Sequence, residues 1–352
     1  MVRVSATATT SAAELLTLIE RLGVPVVTDG GHIRKLEDVE ADMFTVKFEH
    51  DLNDVTTLRN TSRIGKTTTD RILTGINTLS ANNSSNPANW TVTRSRQLTD
   101  QENEIAANQT NLNTEFFTFG LRNTLATGVE FMRESQRTES GATANQVIDG
   151  VTYVAVAVPN ANLYDPNAHD GMGKPYKSGV YSDGTTDTAA FYAFDTLHLN
   201  EQWLVNAGLR YEHYDTETKS AAVTSEVLVP SRMKNSDDLW SWNTGLVFKP
   251  LENGSIYLSY ANSLTPPGSA NFALSTSESS DSQPNLDPQE TEHVELGTKW
   301  DLLDDRLNLT AAVYRTENTN QVSYDALSDS YQQDGKIRVT GVELGMVGQI
   351  TN

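Results

Sequence analysis

The chain has no cysteine, which excludes a disulfide framework and thiolate metal sites such as zinc fingers. It is short of positive charge: 26 Lys and Arg stand against 46 Asp and Glu, a net charge of −20, with a pI of about 4.6. A surface that tracks phosphates needs clustered Lys and Arg, so DNA and RNA are set aside as partners. No stretch approaches the roughly 20 apolar residues that carry a helix through a bilayer. The apolar fraction is only 37%, below the roughly 45 to 50% of ordinary globular chains. Yet 5 Trp, 12 Tyr and 10 Phe in 352 residues are too many for disorder. A transmembrane β-barrel reconciles these facts, because each strand turns apolar side chains to lipid and polar ones to the lumen, and the average comes out hydrophilic.

The pattern that is present supports that class. Trp203, Val205, Ala207, Leu209 and Tyr211 alternate with Leu204, Asn206, Gly208, Arg210 and Glu212, a period of two with one apolar and one polar face. Val294, Leu296, Thr298, Trp300 and Leu302 oppose His293, Glu295, Gly297, Lys299 and Asp301 in the same way, as do Trp240, Trp242, Thr244, Leu246 and Phe248 against their neighbours. About thirteen such segments are found by this rule, near residues 42–51, 55–65, 68–79, 88–98, 104–118, 123–136, 186–199, 203–215, 238–249, 255–263, 289–302, 306–317 and 336–350. They are long for soluble strands but suit tilted membrane strands. Short turns such as Leu52-Asn53-Asp54, Asn200-Glu201-Gln202 and Leu303-Asp304-Asp305 alternate with long polar stretches at 137–185, 216–237, 264–288 and 318–335, as periplasmic turns alternate with external loops. Trp90, Trp203, Trp240 and Trp300 lie near strand ends, where interfacial girdles form. The fold expected is all-β, an antiparallel transmembrane β-barrel.

Residues 1–36 read differently. Ser11 to Gly23 is expected to form a short amphipathic helix with Leu15, Leu18, Ile19 and Leu22 on one face, and Glu14 and Glu20 break any apolar run a signal peptide would need. The chain therefore divides into an atypical leader, 1–36, and a barrel domain, 37–352.

Enzyme signatures are absent from the sequence: no G-x-S-x-G elbow, H-E-x-x-H, P-loop or helix-opening G-x-G-x-x-G occurs. The six histidines are scattered without ligand spacing, and His293 reads as a lumen-facing polar residue. Carboxylates such as Asp183, Asp187, Asp237, Asp238, Asp281 and Asp334 read as solvated loop charges, with divalent cations bridging lipopolysaccharide as the alternative.

The run Leu286 to Glu317 is specific. Pro288, Glu295, Gly297, Lys299, Trp300, Asp304, Arg306, Leu307, Leu309, Thr310, Ala311 and Ala312 resemble the barrel segment of TonB-dependent siderophore receptors. Phe48-Glu49-His50-Asp51-Leu52, Thr57-Leu58-Arg59-Asn60-Thr61, Asn108-Gln109-Thr110-Asn111, Gly128-Val129-Glu130-Phe131 and Arg338-Val339-Thr340-Gly341-Val342-Glu343 extend the resemblance over residues 37–352. Tyr192 to Leu197 and Pro266-Pro267-Gly268 with Asn271 to Leu274 look most like the ferric-catecholate receptors of the Fiu type.

That resemblance implies a barrel of about 22 strands closed by an N-terminal plug, seated in the bacterial outer membrane among lipid and lipopolysaccharide, with uptake of ferric siderophore powered by TonB. No cofactor is held by protein side chains, and ferric iron arrives on the siderophore. The chain is expected to be an internal fragment, since neither a plug nor a TonB box is recognisable ahead of Ala41, and so not to transport alone. A ferric tris-catecholate is an anion with flat aromatic faces. Tyr153, Tyr164, Lys174, Tyr176, Lys177 and Tyr181 in the longest loop, Phe272 after the Pro-Pro-Gly turn, and Tyr324 and Tyr331 in the last loop are therefore the candidate contacts. A passive porin or adhesin barrel and a lipid-modifying barrel enzyme are the competing readings.

Overall fold

The structure, a computed structural model, describes residues 2–9, 36–82, 84–167, 170–269, 271–304 and 306–348. The helix expected at Ser11–Gly23 lies outside the described residues. The strands in chain order are β1 (Val2–Thr9), β2 (Leu36–Asn53), β3 (Thr56–Ser80), β4 (Thr91–Thr118), β5 (Leu121–Ala142), β6 (Gln146–Ile148), β7 (Val151–Tyr153), β8 (Ala161–Asn162), β9 (Tyr176–His198), β10 (Trp203–Thr224), β11 (Val227–Leu251), β12 (Gly254–Thr265), β13 (Gln289–Leu302), β14 (Leu307–Asp325) and β15 (Ser330–Gly348). One path runs β1-β2-β3-β4-β5-β9-β10-β11-β12-β13-β14-β15, with β8 beside β4 in the same 13-stranded sheet and β6-β7 as a separate hairpin. Neighbours on the path are antiparallel, as meandering hairpins require. Part of the expected leader belongs to the sheet: β1 pairs with β2 from Val2↔His50 to Thr9↔Met43.

The strands run further than the periodicity indicates. Segments 55–65 and 68–79 are one strand, β3, and 88–98 and 104–118 merge into β4. The stretch 216–237, expected as a loop, is mostly ladder: β10 and β11 pair out to Thr224↔Val227. At 318–335, β14 and β15 likewise pair out to Asp325↔Ser330. Beyond the bilayer both faces of a strand meet water, so alternation fades while the backbone ladder, which needs no apolar face, continues.

Two-residue turns close several hairpins with both central residues at positive φ, the twist that suits such connections: Phe119 and Gly120 (52° and 81°), Asp149 and Gly150 (49° and 79°), Ser225 and Glu226 (49° and 66°). Ser225 and Glu226 lack the freedom of glycine, and the β6-β7 turn braces them. The Asp149 amide donates to the Glu226 carbonyl at 2.9 Å, and the Asp149 carboxylate accepts from the Leu228 amide at 3.2 Å.

Register assembles an apolar face. Trp203 lies opposite Phe248, Val205 opposite Leu246 and Tyr211 opposite Trp240. Leu246 then meets Leu258, Leu258 meets Leu296, Leu296 meets Val313 and Val313 meets Val342. This row stays exposed, Leu258 at 51% and Val342 at 70%, an apolar belt and not a core, the kind of face that outer-membrane barrels turn to lipid. Aromatic pairs bracket it: Trp203 stacks on Phe248 at 4.5 Å near the short turns, and Tyr211–Trp240 (4.9 Å) and Trp242–Tyr260 (4.8 Å) stand at the far side. From Trp203 to Tyr211 is about 27 Å of strand, the scale of the ~25 Å apolar band of outer-membrane barrels. The face is interrupted at Asn60, Ser62, Asn108 and Thr110. Their side chains bond one another at 2.7 to 3.3 Å, which satisfies them without water.

Candidate functional site

The opposite face is polar, and close packing of tyrosine on glycine organises it. Tyr192 lies opposite Gly128, Tyr257 opposite Gly297 and Tyr314 opposite Gly341. A Cβ at these glycines would stand 2.7, 2.4 and 2.6 Å from the phenol oxygens, so only glycine admits the rings. The rings carry hydroxyls into the wall: Tyr257 donates to Glu295 at 2.6 Å, and Tyr192 accepts from the Gln109 amide at 3.0 Å. Arg210 spans Glu130 at 2.9 Å and Glu212 at 2.5 Å. The Lys299 ammonium stands 5.4 Å from the Tyr257 ring centroid. His293, on this same face, bonds Thr316 Oγ1 through Nδ1 at 2.8 Å. The Glu-x-Gly-x-Lys-Trp block is thereby explained: Glu295, Gly297 and Lys299 face the polar side, while Trp300 turns to the apolar face across Gly254, where a Cβ would meet its ring at 2.3 Å.

The loop after β12 folds back onto this face. Thr218 donates from Oγ1 to the Phe272 carbonyl at 3.0 Å and accepts from the Leu274 amide at 2.8 Å, which fixes the loop over β10. Leu274 and Tyr214 are buried beneath it, and Gly184 has no side chain because the Phe272 carbonyl occupies that space. A cavity of about 470 Å³ lies beside Phe272, lined also by Met43, Gly65, Asn103, Ile105 and Glu134.

The residues singled out from sequence fall into separate groups. Tyr153 stacks on Tyr176 with ring centroids 4.6 Å apart, and the Tyr176 hydroxyl donates to the Ala144 carbonyl at 2.5 Å. Lys174 and Tyr164 are exposed on the same long loop. Tyr324 and Tyr331 face each other across the last hairpin at 5.3 Å, and the Tyr324 hydroxyl donates to Asp329 at 2.5 Å. Phe272 stands apart beside the cavity. Lys177 and Tyr181 sit on the outward side: Lys177 pairs with Asp100 and Glu139, and the Arg137 guanidinium lies 4.9 Å over the Tyr181 ring. Asp100 and Glu139 hold the Lys177 pKa above its ordinary value, and Arg137 and Lys177 hold Glu139 below its own. Among the described residues no ring contact joins the three aromatic groups. The sequence sets Arg210 on a polar face and Glu130 in a family motif, but it pairs neither them nor the tyrosines with their glycines. The available signal was a glycine on the polar face of a long strand, but its partner is set by register.

Comparison with known proteins agrees with this geometry. The chain is 38% identical over 338 residues to the catecholate siderophore receptor Fiu of Escherichia coli (strain K12), covering 90% of this chain and 42% of that protein. It is 31% identical over 335 residues to the probable TonB-dependent siderophore receptor PiuA of Acinetobacter baumannii, covering 91% of this chain and 43% of the relative. The closed-form crystal structure of the ferric-catecholate import receptor Fiu from E. coli K12 superposes with a TM-score of 0.80 at 35% identity, over 90% of this chain and 46% of that one. The chain thus spans less than half the length of these relatives. Residues 22–351 match the family described as TonB dependent receptor-like, beta-barrel, and with the lipid belt, the polar wall and the hairpin architecture already in view, the chain belongs to that family.

Proposed function

We propose that this chain forms part of the wall and external rim of an outer-membrane receptor that binds a ferric catecholate siderophore and imports it with energy from the TonB complex. The observation that carries the reading is the 38% identity to a catecholate siderophore receptor over 338 residues, too long a match to be a shared barrel alone. The polar wall fits it as well, since Arg210, Glu130, Gln109 and Tyr257 offer a hydrophilic surface to a charged chelate. The reading is transport and not catalysis, with ferric iron as cargo on its chelator.

Within this reading the rim contacts are Tyr153, Tyr164, Lys174 and Tyr176 on the long loop, Phe272 beside its cavity, and the Tyr324–Tyr331 pair. Lys177 and Tyr181 drop out of the chelate site because their contacts lie on the outward side. The test is competition binding to the full receptor chain that carries this segment, with an iron tris-catecholate against a hydroxamate chelate. The catecholate should win, and Tyr153→Ala with Phe272→Ala should weaken it. Preference for the hydroxamate would remove the substrate assignment and leave the family standing.

A further inference from the structure

The segment between β12 and β13 is tied to the strands around it at several points, and one of them sets the place of Phe272. Asn235 on β11 donates from Nδ2 to the Pro284 carbonyl at 2.9 Å, and the Val322 amide on β14 donates to Asp281 at 2.7 Å. Gln333 on β15 donates to the Asp287 carbonyl at 2.7 Å and accepts from the Asp287 amide at 3.1 Å. A further tie is Thr218 on β10, which is 1% exposed. Both roles of its hydroxyl are used: the proton goes to the Phe272 carbonyl and a lone pair meets the Leu274 amide. Gly184 lies directly opposite on β9 and leaves the notch that the carbonyl fills, since a Cβ there would stand 1.7 Å from the oxygen.

Phe272 needs that hold. Its φ is 55°, in the left-handed region that a residue with a side chain keeps only where its surroundings over-determine it. The two hydrogen bonds, the notch and the buried Leu274, which packs close to Gly268, do so. Phe272 is also the one residue lining its cavity that does not come from the wall. Among the described residues the rest belong to β2, β3, β4 and β5, and none of those is aromatic. Glu134 on that wall carries a charge of the chelate's own sign, so what the cavity offers a catecholate is a ring contact opposite Met43 and Ile105.

We propose that Thr218, with the notch at Gly184, is the positioning residue for catecholate recognition. It does not touch the chelate; it holds Phe272 beside the cavity before the chelate arrives, so the ring contact forms without ordering the segment that carries it. A hydroxamate chelate presents no aromatic face and is indifferent to where the ring stands. The inference rests on the catecholate reading above and adds to it the residue that sets the preference.

The experiment uses the full receptor chain that carries this segment, in detergent. Thr218→Val keeps the branched shape and removes the hydroxyl, Thr218→Ser keeps the hydroxyl, and Gly184→Ala fills the notch. Without ligand, hydrogen exchange of the Leu274 amide should quicken in Thr218→Val and Gly184→Ala and stay slow in Thr218→Ser. Exchange at Asp287, held by Gln333, should not change in any of them. Thr218→Val should then bind an iron tris-catecholate about threefold to tenfold more weakly, the scale of one aromatic contact, with hydroxamate binding unchanged and Thr218→Ser close to the parent. In a Phe272→Ala background Thr218→Val should bring no further loss, a coupling that general damage to the fold does not produce. Unchanged exchange in Thr218→Val, unchanged catecholate affinity, equal loss for both chelates, or additive losses with Phe272→Ala would each overturn the inference. Failure of the catecholate reading shows separately, as a hydroxamate preference in the parent chain, and takes this inference with it.

Discussion

Tyr257 lies across Gly297 on the neighbouring strand, its hydroxyl 2.4 Å from where a Cβ at 297 would stand and 2.6 Å from Glu295 Oε1, to which it donates. The glycine makes room and the carboxylate holds the ring. Gly297→Ala should push the ring aside, break that hydrogen bond and destabilise the sheet by about 1.5 to 3 kcal/mol, the range for a bond to a charged group. In a Tyr257→Phe background the same change should cost less, because the bond is already gone. A double-mutant cycle on folding of the full receptor chain from urea into vesicles reads the difference, and additive costs would mean the two residues are not coupled.

Leu296 is the neighbour that faces the other way, opposite Leu258 and Val313. Leu296→Arg should cost about 2 to 4 kcal/mol if it sits near the bilayer midplane, while Glu295→Gln on the polar face should not show that depth-dependent penalty. Folding yield in lipid vesicles of the full receptor chain that carries this segment measures both. Equal folding of Leu296→Arg and its parent would reverse the assignment of faces.

Glu217 carries a pH dependence of known sign. Arg232, then Lys234 and Lys219, hold its carboxyl down to about 2 against an ordinary 4.5. Because the folded value lies below the unfolded one, its contribution is complete above about pH 4.5 and is lost as pH falls through about 2. Hydrogen exchange of the β10-β11 tip, corrected for intrinsic rates, should quicken over that interval in the parent and be flat there in Glu217→Gln. A parent profile as flat as the variant's would show that the ion cluster does not brace the hairpin.

The outer edges of the path predict a further behaviour. Among the described residues no ladder joins β1 to β15, and in hydrocarbon each unpaired backbone group costs several kcal/mol. Residues 1–352 expressed by themselves should therefore aggregate, or fold only in detergent, and should not restore growth on ferric siderophore to a receptor-deficient strain. A heat-modifiable, vesicle-inserted species made of these residues alone would refute this.

How much was legible in the chain follows from where water and lipid stand. Within the bilayer a strand has two unlike environments, so the alternation of Trp203 to Glu212 and of His293 to Leu302 announces both strand and face, and both are found. Above it the environments are alike. The Thr- and Ser-containing reach of β3 and the outer halves of β10, β11, β14 and β15 consequently read as breaks or loops though they are ladder. The rim residues were least legible: Tyr324 and Tyr331 look like loop aromatics in sequence and are a cross-strand pair, and Lys177 reads as a loop cation open to the chelate while Asp100 and Glu139 hold it on the outward side.

The all-β class, the two faces and, through the block from Glu295 to Ala312, the family are legible along the chain, because side-chain period and local wording are properties of residues read in order. Which residues meet is a property of the folded sheet. Tyr192 finds Gly128, Arg210 finds Glu130, and Glu217 gathers Arg232 and Lys234 through strand register. Register is set jointly by the hydrophobic patterns of two strands and the turn between them, so no one segment read alone says which residue lies opposite.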